Sequence, residues 1–159
     1  SWQDPLPIDV DKFSASAGRG GIHVDAKSDM EIGTVKGQSD MLTTGGGEIN
    51  LRTQGKLAVS DGITADDIGI RASGDIRLES LAQGQGKGIV LDTDIWSETG
   101  HITIIAYGNV TQLGTADLIS EQGVIDVHSL TGSITWHPLC LTVHLFPHGK
   151  AAAKDSVRP

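Results

Sequence analysis

One cysteine, Cys140, is all the chain has, so no intramolecular disulfide can form and no cysteine-based zinc site can be assembled. Aromatic residues make up only 4% of the sequence, and a core that lacks them must be aliphatic. No apolar run approaches the roughly 20 residues needed to cross a bilayer, so membrane insertion is not expected. Basic residues are also few. Against 20 Asp and Glu, 12 Lys and Arg leave a formal net charge of −8, and with no basic cluster in view a nucleic-acid partner is not expected. Helical runs are missing but for Lys150–Asp155, which is too short to stand alone.

Glycine, by contrast, is abundant, with 21 residues, and it recurs in order. The unit Gly-x-aliphatic-x-aliphatic occurs at Gly20–Val24, Gly47–Leu51, Gly55–Val59, Gly74–Leu78, Gly100–Ile104 and Gly123–Val127. Gly132–Trp136 fits if Trp fills the last slot. The alternation has the period of a strand with one buried face. Two units lie only eight residues apart at Gly47 and Gly55, too close for a parallel crossover within one sheet. Each such pair therefore reads as one corner of a coil, and Gly100 with Gly108, Gly123 with Gly132, and Asp66 with Gly74 repeat it. The pair starts imply a period of about 20 residues with three short strands per turn, as a parallel β-helix requires.

The expected fold is accordingly all-β, a parallel β-helix of about five to six irregular turns. Residues 1–19 are expected as a lead-in that covers the first edge, 20–136 as repeats, 137–149 as a capping strand and 150–159 as a flexible tail. The inward positions are Ile22, Val24, Ile49, Leu51, Leu57, Val59, Ile70, Ile76, Leu78, Ile89, Leu91, Ile102, Ile104, Val110, Ile125, Val127, Ile134 and Trp136. The apolar segment Pro138–Pro147 is read first as the cap and second as an edge for end-to-end self-association. The chain opens Ser1-Trp2 without Met, which suits a processed form or a piece of something longer.

Three stretches, Ile63–Leu78, Gly100–Val110 and Gly123–Trp136, resemble the degenerate repeats of filamentous haemagglutinin-type exoproteins, the very long bacterial surface and secreted adhesins. The resemblance covers about residues 20 to 136. It implies a right-handed parallel β-helix shaft, export to the cell surface, and adhesion or cell contact; the expected partner is a host-cell or matrix surface, with glycans as one candidate.

Catalytic chemistry would need carboxylates and a base from adjacent rungs on one outer face. The outward candidates are Asp75, Asp92, Asp94 and Asp126, with Arg71 and Arg77; a polysaccharide lyase or hydrolase would bring Asp75, Asp92 and Asp94 together with Arg77. A solvated charged face is the commoner role for such residues. His23, His101 and His128 are outward but on separate rungs, and His137, His144 and His148 fall near the end, so no metal site is expected. The aspartate ladder of calcium-binding β-rolls is missing after Gly45-Gly46-Gly47, and no cofactor is expected. Outward residues form no threonine array of the kind that binds ice. Cys140 with His137 or His144 is the one nucleophile pairing, and it is better read as a buried small residue. Trp96, Tyr107 and Trp136 would make a sugar-stacking platform only if exposed together. The expected function is a non-enzymatic structural or adhesive β-helix, secreted or at the cell surface. The alternatives are a carbohydrate-active enzyme and a scaffold that self-assembles through stacked ends.

Overall fold

The computed structural model describes residues 5–36, 41–60, 68–84, 86–114 and 116–136, and among them there is no helix. Seventeen short strands run into three parallel sheets. Sheet 1 stacks β1 (Leu6–Ile8), β4 (Ile22–Ala26), β7 (Ile49–Thr53), β10 (Ile76–Ser80), β13 (Ile102–Ala106) and β16 (Ile125–Ser129). Sheet 2 stacks β2 (Lys12–Phe13), β5 (Met30–Ile32), β8 (Leu57–Val59), β11 (Gly88–Leu91), β14 (Asn109–Gln112) and β17 (Ile134–Thr135). Sheet 3 stacks β3 (Ala15–Ala17), β6 (Met41–Thr43), β9 (Ile68–Ala72), β12 (Asp94–Ser97) and β15 (Leu118–Ser120). Successive strands visit sheets 1, 2 and 3 in turn, so each trio is one rung of a β-solenoid. The described strands fill five rungs and two sides of a sixth.

The registers make the core a set of ladders. Ile22, Ile49, Ile76, Ile102 and Ile125 lie one above another, as do Val24, Leu51, Leu78, Ile104 and Val127. Sheet 2 adds Met30, Leu57, Ile89, Val110 and Ile134. From Ile22 to Val110 the inward positions expected from the alternation are buried, while Ile125, Val127 and Ile134 pack against the cluster from its rim. Ile32, Met41 and Ile95 complete the interior. Trp136 departs from the expected inward position: it is 37% exposed, because among the described residues no strand lies above β17 to cover it.

The repeat length also differs from expectation. Ile22 pairs with Ile49, Ile49 with Ile76, Ile76 with Ile102 and Ile102 with Ile125, so a rung takes 27, 27, 26 and then 23 residues rather than about 20. Gly47 to Gly55 turns the corner from sheet 1 to sheet 2, but Ile68–Ala72 to Gly74 turns the corner from sheet 3 to sheet 1. Two kinds of corner share one spacing in the sequence, and treating them as equivalent shortens the apparent period.

Glycine holds the corner before sheet 1 because successive chains touch there. A Cβ on Gly74 would sit 2.8 Å from the carbonyl oxygen of Gly46 on the rung below, closer than side chains tolerate. Small buried hydroxyls complete the corners. Ser97 Oγ donates to Gly74 O (2.9 Å) and accepts from Gly100 N–H (3.0 Å); Ser120 Oγ repeats this with Gly100 O and Gly123 N–H. Each satisfies turn groups that the sheet ladders leave unpaired. The expected capping strand at 137–149, the tail, Cys140, His137, His144, His148 and the unit start at Asp66 lie outside the described residues.

Candidate functional site

Sheet 1 carries the richest outer chemistry because each of its strands from β4 to β16 is five residues long and places two side chains outward. One outward column runs His23, Asn50, Arg77, Thr103 and Asp126; the next runs Asp25, Arg52, Glu79, Ile105 and His128. Glu48, Asp75 and His101 stand one residue before the strands and border the first column. Together Glu48, Asn50, Asp75, Arg77, His101, Thr103, Val124 and Asp126 line an open cleft of about 570 Å³ across rungs three to six.

Part of this chemistry is structural. Asp75 Oδ1 accepts the His101 backbone N–H (2.8 Å), and His101 Nδ1 accepts that of Val124 (2.9 Å). Each side chain thus binds the rung above, and the imidazole is held with its Nδ1 as acceptor. Asn50 Nδ2 donates to His23 Nδ1 (3.2 Å). Arg77 is less committed. Its ion pair is with Glu79 of its own strand at 3.6 Å, and its Nε is buried without a hydrogen-bond partner among the described residues. An unmatched guanidinium N–H is costly to bury, and Nε itself is out of reach of anything in the cleft, which can meet only the terminal nitrogens of Arg77.

Elsewhere the outer charges are tied rung to rung. Arg52 Nη2 lies 2.6 Å from Asp25 Oδ2, which raises the arginine pKa further above its ordinary value. Lys12 lies 2.7 Å from Glu31, and this contact, followed by the Ser60 hydroxyl, lowers the glutamate pKa below its ordinary 4.5. Asp29 accepts the Lys56 backbone N–H (2.8 Å) and pairs with Lys87 (2.9 Å), and in that order the two hold its pKa below the ordinary 3.8. On sheet 3 the Arg71 guanidinium stacks 4.9 Å from the Trp96 ring centroid and pairs with Glu98, while Trp96 Nε1 donates to Glu121 (3.1 Å).

The residues named from the sequence are therefore divided. Asp75, Arg77 and Asp126 share the sheet 1 cleft. Asp92 follows β11 and Asp94 opens β12, at the corner between sheets 2 and 3, where Asp94 accepts the Asp117 N–H (2.7 Å); neither lines the cleft. Trp96 lies on sheet 3, Tyr107 just past β13 and Trp136 just past β17, each at a different part of the coil. Among the described residues no three His, Cys, Asp or Glu side chains are grouped as a metal ion would need. Glu48, Asn50 and Thr103 join the cleft without having been singled out as reactive residues. Adding 27 or 26 to a position would have found them, but only once the true rung length was known. No protein family matches the chain, and no curated protein or solved structure matches it either.

Proposed function

We propose that this chain is a non-enzymatic structural and adhesive segment, a rigid β-solenoid that presents an elongated surface to a host-cell or matrix partner. The observation that carries this reading is the use made of the outer charges. Asp25 with Arg52, Glu31 with Lys12, Asp29 with Lys87, and Glu98 with Arg71 join neighbouring or next-but-one rungs, so the acids and bases stiffen the coil. Each exposed pair contributes only about 0–1 kcal/mol, yet together they fix the surface's shape. Secretion or cell-surface display belongs to the same proposal, as does a relation to haemagglutinin-type adhesins. The test is a binding screen of the full chain on glycan arrays and host-matrix proteins, run beside a turnover assay on acidic polysaccharides. Saturable surface binding without turnover is the expected result; turnover would overturn it.

One observation favours a second reading, a carbohydrate-active enzyme: Glu48, Asp75 and Asp126 share a cleft with Arg77 and His101. A general acid and base could be drawn from that set. Loss of polysaccharide cleavage in Asp75→Asn and Asp126→Asn would be its signature. End-to-end assembly is the third reading, and Pro7, which turns its missing N–H to the open side of β1, weighs against it.

A further inference from the structure

We infer that the cleft on sheet 1 is a binding site for a neutral oligosaccharide strand laid along the solenoid axis. This rests on the adhesive reading and names a ligand class for it. The shape is the first ground. Asn50, Arg77, Thr103 and Asp126 occupy successive rungs of one outward column, so the polar groups span three rung spacings, or about 14 Å at ~4.8 Å each. The ligand must therefore be elongated and offer polar groups at regular intervals.

Hydrogen-bond chemistry is the second ground. Donors in the cleft are the terminal Nη groups of Arg77, whose side chain is about one-third exposed, and the Thr103 hydroxyl. His101 adds one more: with Nδ1 occupied as an acceptor, the neutral ring carries its proton on Nε2. Acceptors are the Glu48 and Asp126 carboxylates, the second oxygen of Asp75, and Asn50 Oδ1, the Asn50 amide nitrogen being engaged by His23. Donors and acceptors are interleaved, and a hydroxyl, which donates and accepts at the same atom, matches both kinds at once.

Charge excludes the simpler candidates. A polyanion such as a uronate chain would meet Arg77 but also Glu48, Asp75 and Asp126, in a protein of formal net charge −8. A lysine-rich peptide would satisfy the carboxylates and leave the Arg77 and His101 donors facing cations. A neutral chain of hexose or N-acetylhexosamine units meets neither penalty. Among the described residues no Trp, Tyr or Phe lines the cleft, so stacking adds little and binding of a single strand is weak, with Kd about 1 mM.

The test is an amide chemical-shift titration of the ¹⁵N-labelled full chain with cellotetraose, chitotetraose, tetragalacturonate and tetralysine. One of the two neutral tetramers is expected to shift the amides of Asn50, Arg77, Thr103 and Asp126 together. Arg77→Ala should weaken that binding about tenfold, as loss of a hydrogen bond from a charged donor does. Asn50→Ala should weaken it less, and Thr111→Ala on sheet 2 should leave it unchanged; unshifted amides elsewhere report that each variant is folded. The site is overturned if neither neutral tetramer shifts these amides at about ten times the expected Kd. Tighter binding of tetragalacturonate or tetralysine, or full affinity in Arg77→Ala, would overturn it equally. A chain that binds matrix proteins but fails this titration loses the site and keeps the adhesive function.

Discussion

Among the described residues the first rung and the last are both edges of parallel sheets, yet they are protected differently. At the start, Lys27 N–H donates to Ile8 O (3.0 Å), so the backbone groups of Ile8 face β4. Neighbouring residues in a strand point to opposite edges, which turns Pro7 to the open side, where its missing N–H cannot receive an added strand. At the other end Ile102 N–H donates to Val124 O (2.9 Å), and the same alternation turns the backbone groups of Ile125, Val127 and Ser129 to the open edge. None of those is proline, and Leu130 and Trp136 stand exposed beside them. Head-to-tail growth needs two receptive edges, and β1 is not one. The ion pairs follow the same polarity: among the described residues they reach from Lys12 to Glu98 and none involves β13 or later strands.

The sharpest way to test whether rungs are graded from a tight middle to a loose end is to put one charge into one ladder at two heights. Ile76 is 1% exposed between Ile49 and Ile102, whereas Ile125 above them is only half-buried. Ile76→Asp should cost on the order of 4–5 kcal/mol or more and unfold the coil, since the carboxylate would be buried unpaired. Ile125→Asp should cost about half of that, because Ile125 is already half-buried in the last described rung, where water can reach the charge. Equal losses in urea unfolding would mean that water reaches the last described rung no better than the middle.

Gly100→Ala probes the contact between rungs by geometry alone. Its Cβ would press on the Gly74–Asp75 backbone, so the two chains must part, at about 2–3 kcal/mol. Gly20 occupies the same column one rung above β1, and there a Cβ would meet nothing within 4 Å. Gly20→Ala should therefore change stability by less than about 1 kcal/mol. A matching loss at both positions would show that the column is fixed by turn conformation and not by contact.

These two sites also explain what the sequence could tell in advance. Alternation in Ile49-Asn50-Leu51 reveals inward and outward faces because burial acts on every second residue, and it identified the core from Ile22 to Val110. The recurrence of glycine revealed that the chain coils. It could not reveal the rung length, because corners from sheet 1 to 2 and from sheet 3 to 1 use the same eight-residue step. Without that length, Asn50, Arg77, Thr103 and Asp126 have no visible relation, and Asp92 and Asp94 look as near to Asp75 as any other acid. The corner hydroxyls were hidden for another reason: Thr53, Ser80 and Ser97 occupy inward slots that a hydrophobic pattern scores as breaks, yet they are fully buried by bonding turn groups.

Pro7→Thr asks whether proline is what distinguishes the first edge. Folding stability should change by less than about 1 kcal/mol, since no native hydrogen bond is gained or lost. The variant should sediment partly as dimers or longer species at high concentration where the parent stays smaller. Identical sedimentation of the two would transfer the protection to some other device at that end.

Acid should loosen the two halves unequally, and this is the smallest effect expected. Asp29 and Glu31 have folded-state pKa values below their ordinary 3.8 and 4.5, through the Lys56 N–H and Lys87 in one case and Lys12 and Ser60 in the other. A depressed carboxylate pKa stabilises the fold fully above the ordinary value and ceases to do so as pH falls through the lowered one. The contribution is therefore intact at pH 6, declines as pH falls through the ordinary values and is gone only below the lowered ones. Both pairs are largely exposed, so the change will be a few degrees at most in melting temperature. Because no described ion pair reaches the fifth rung, the Lys56 and Ser60 amides should shift through this range while Ile104 and Val110 hold still. Lys87→Met should remove the part of the pH dependence that Asp29 carries. If it melts with the parent's full pH dependence, the link from Asp29 across two rungs to Lys87 contributes nothing to the stiffness of the first half.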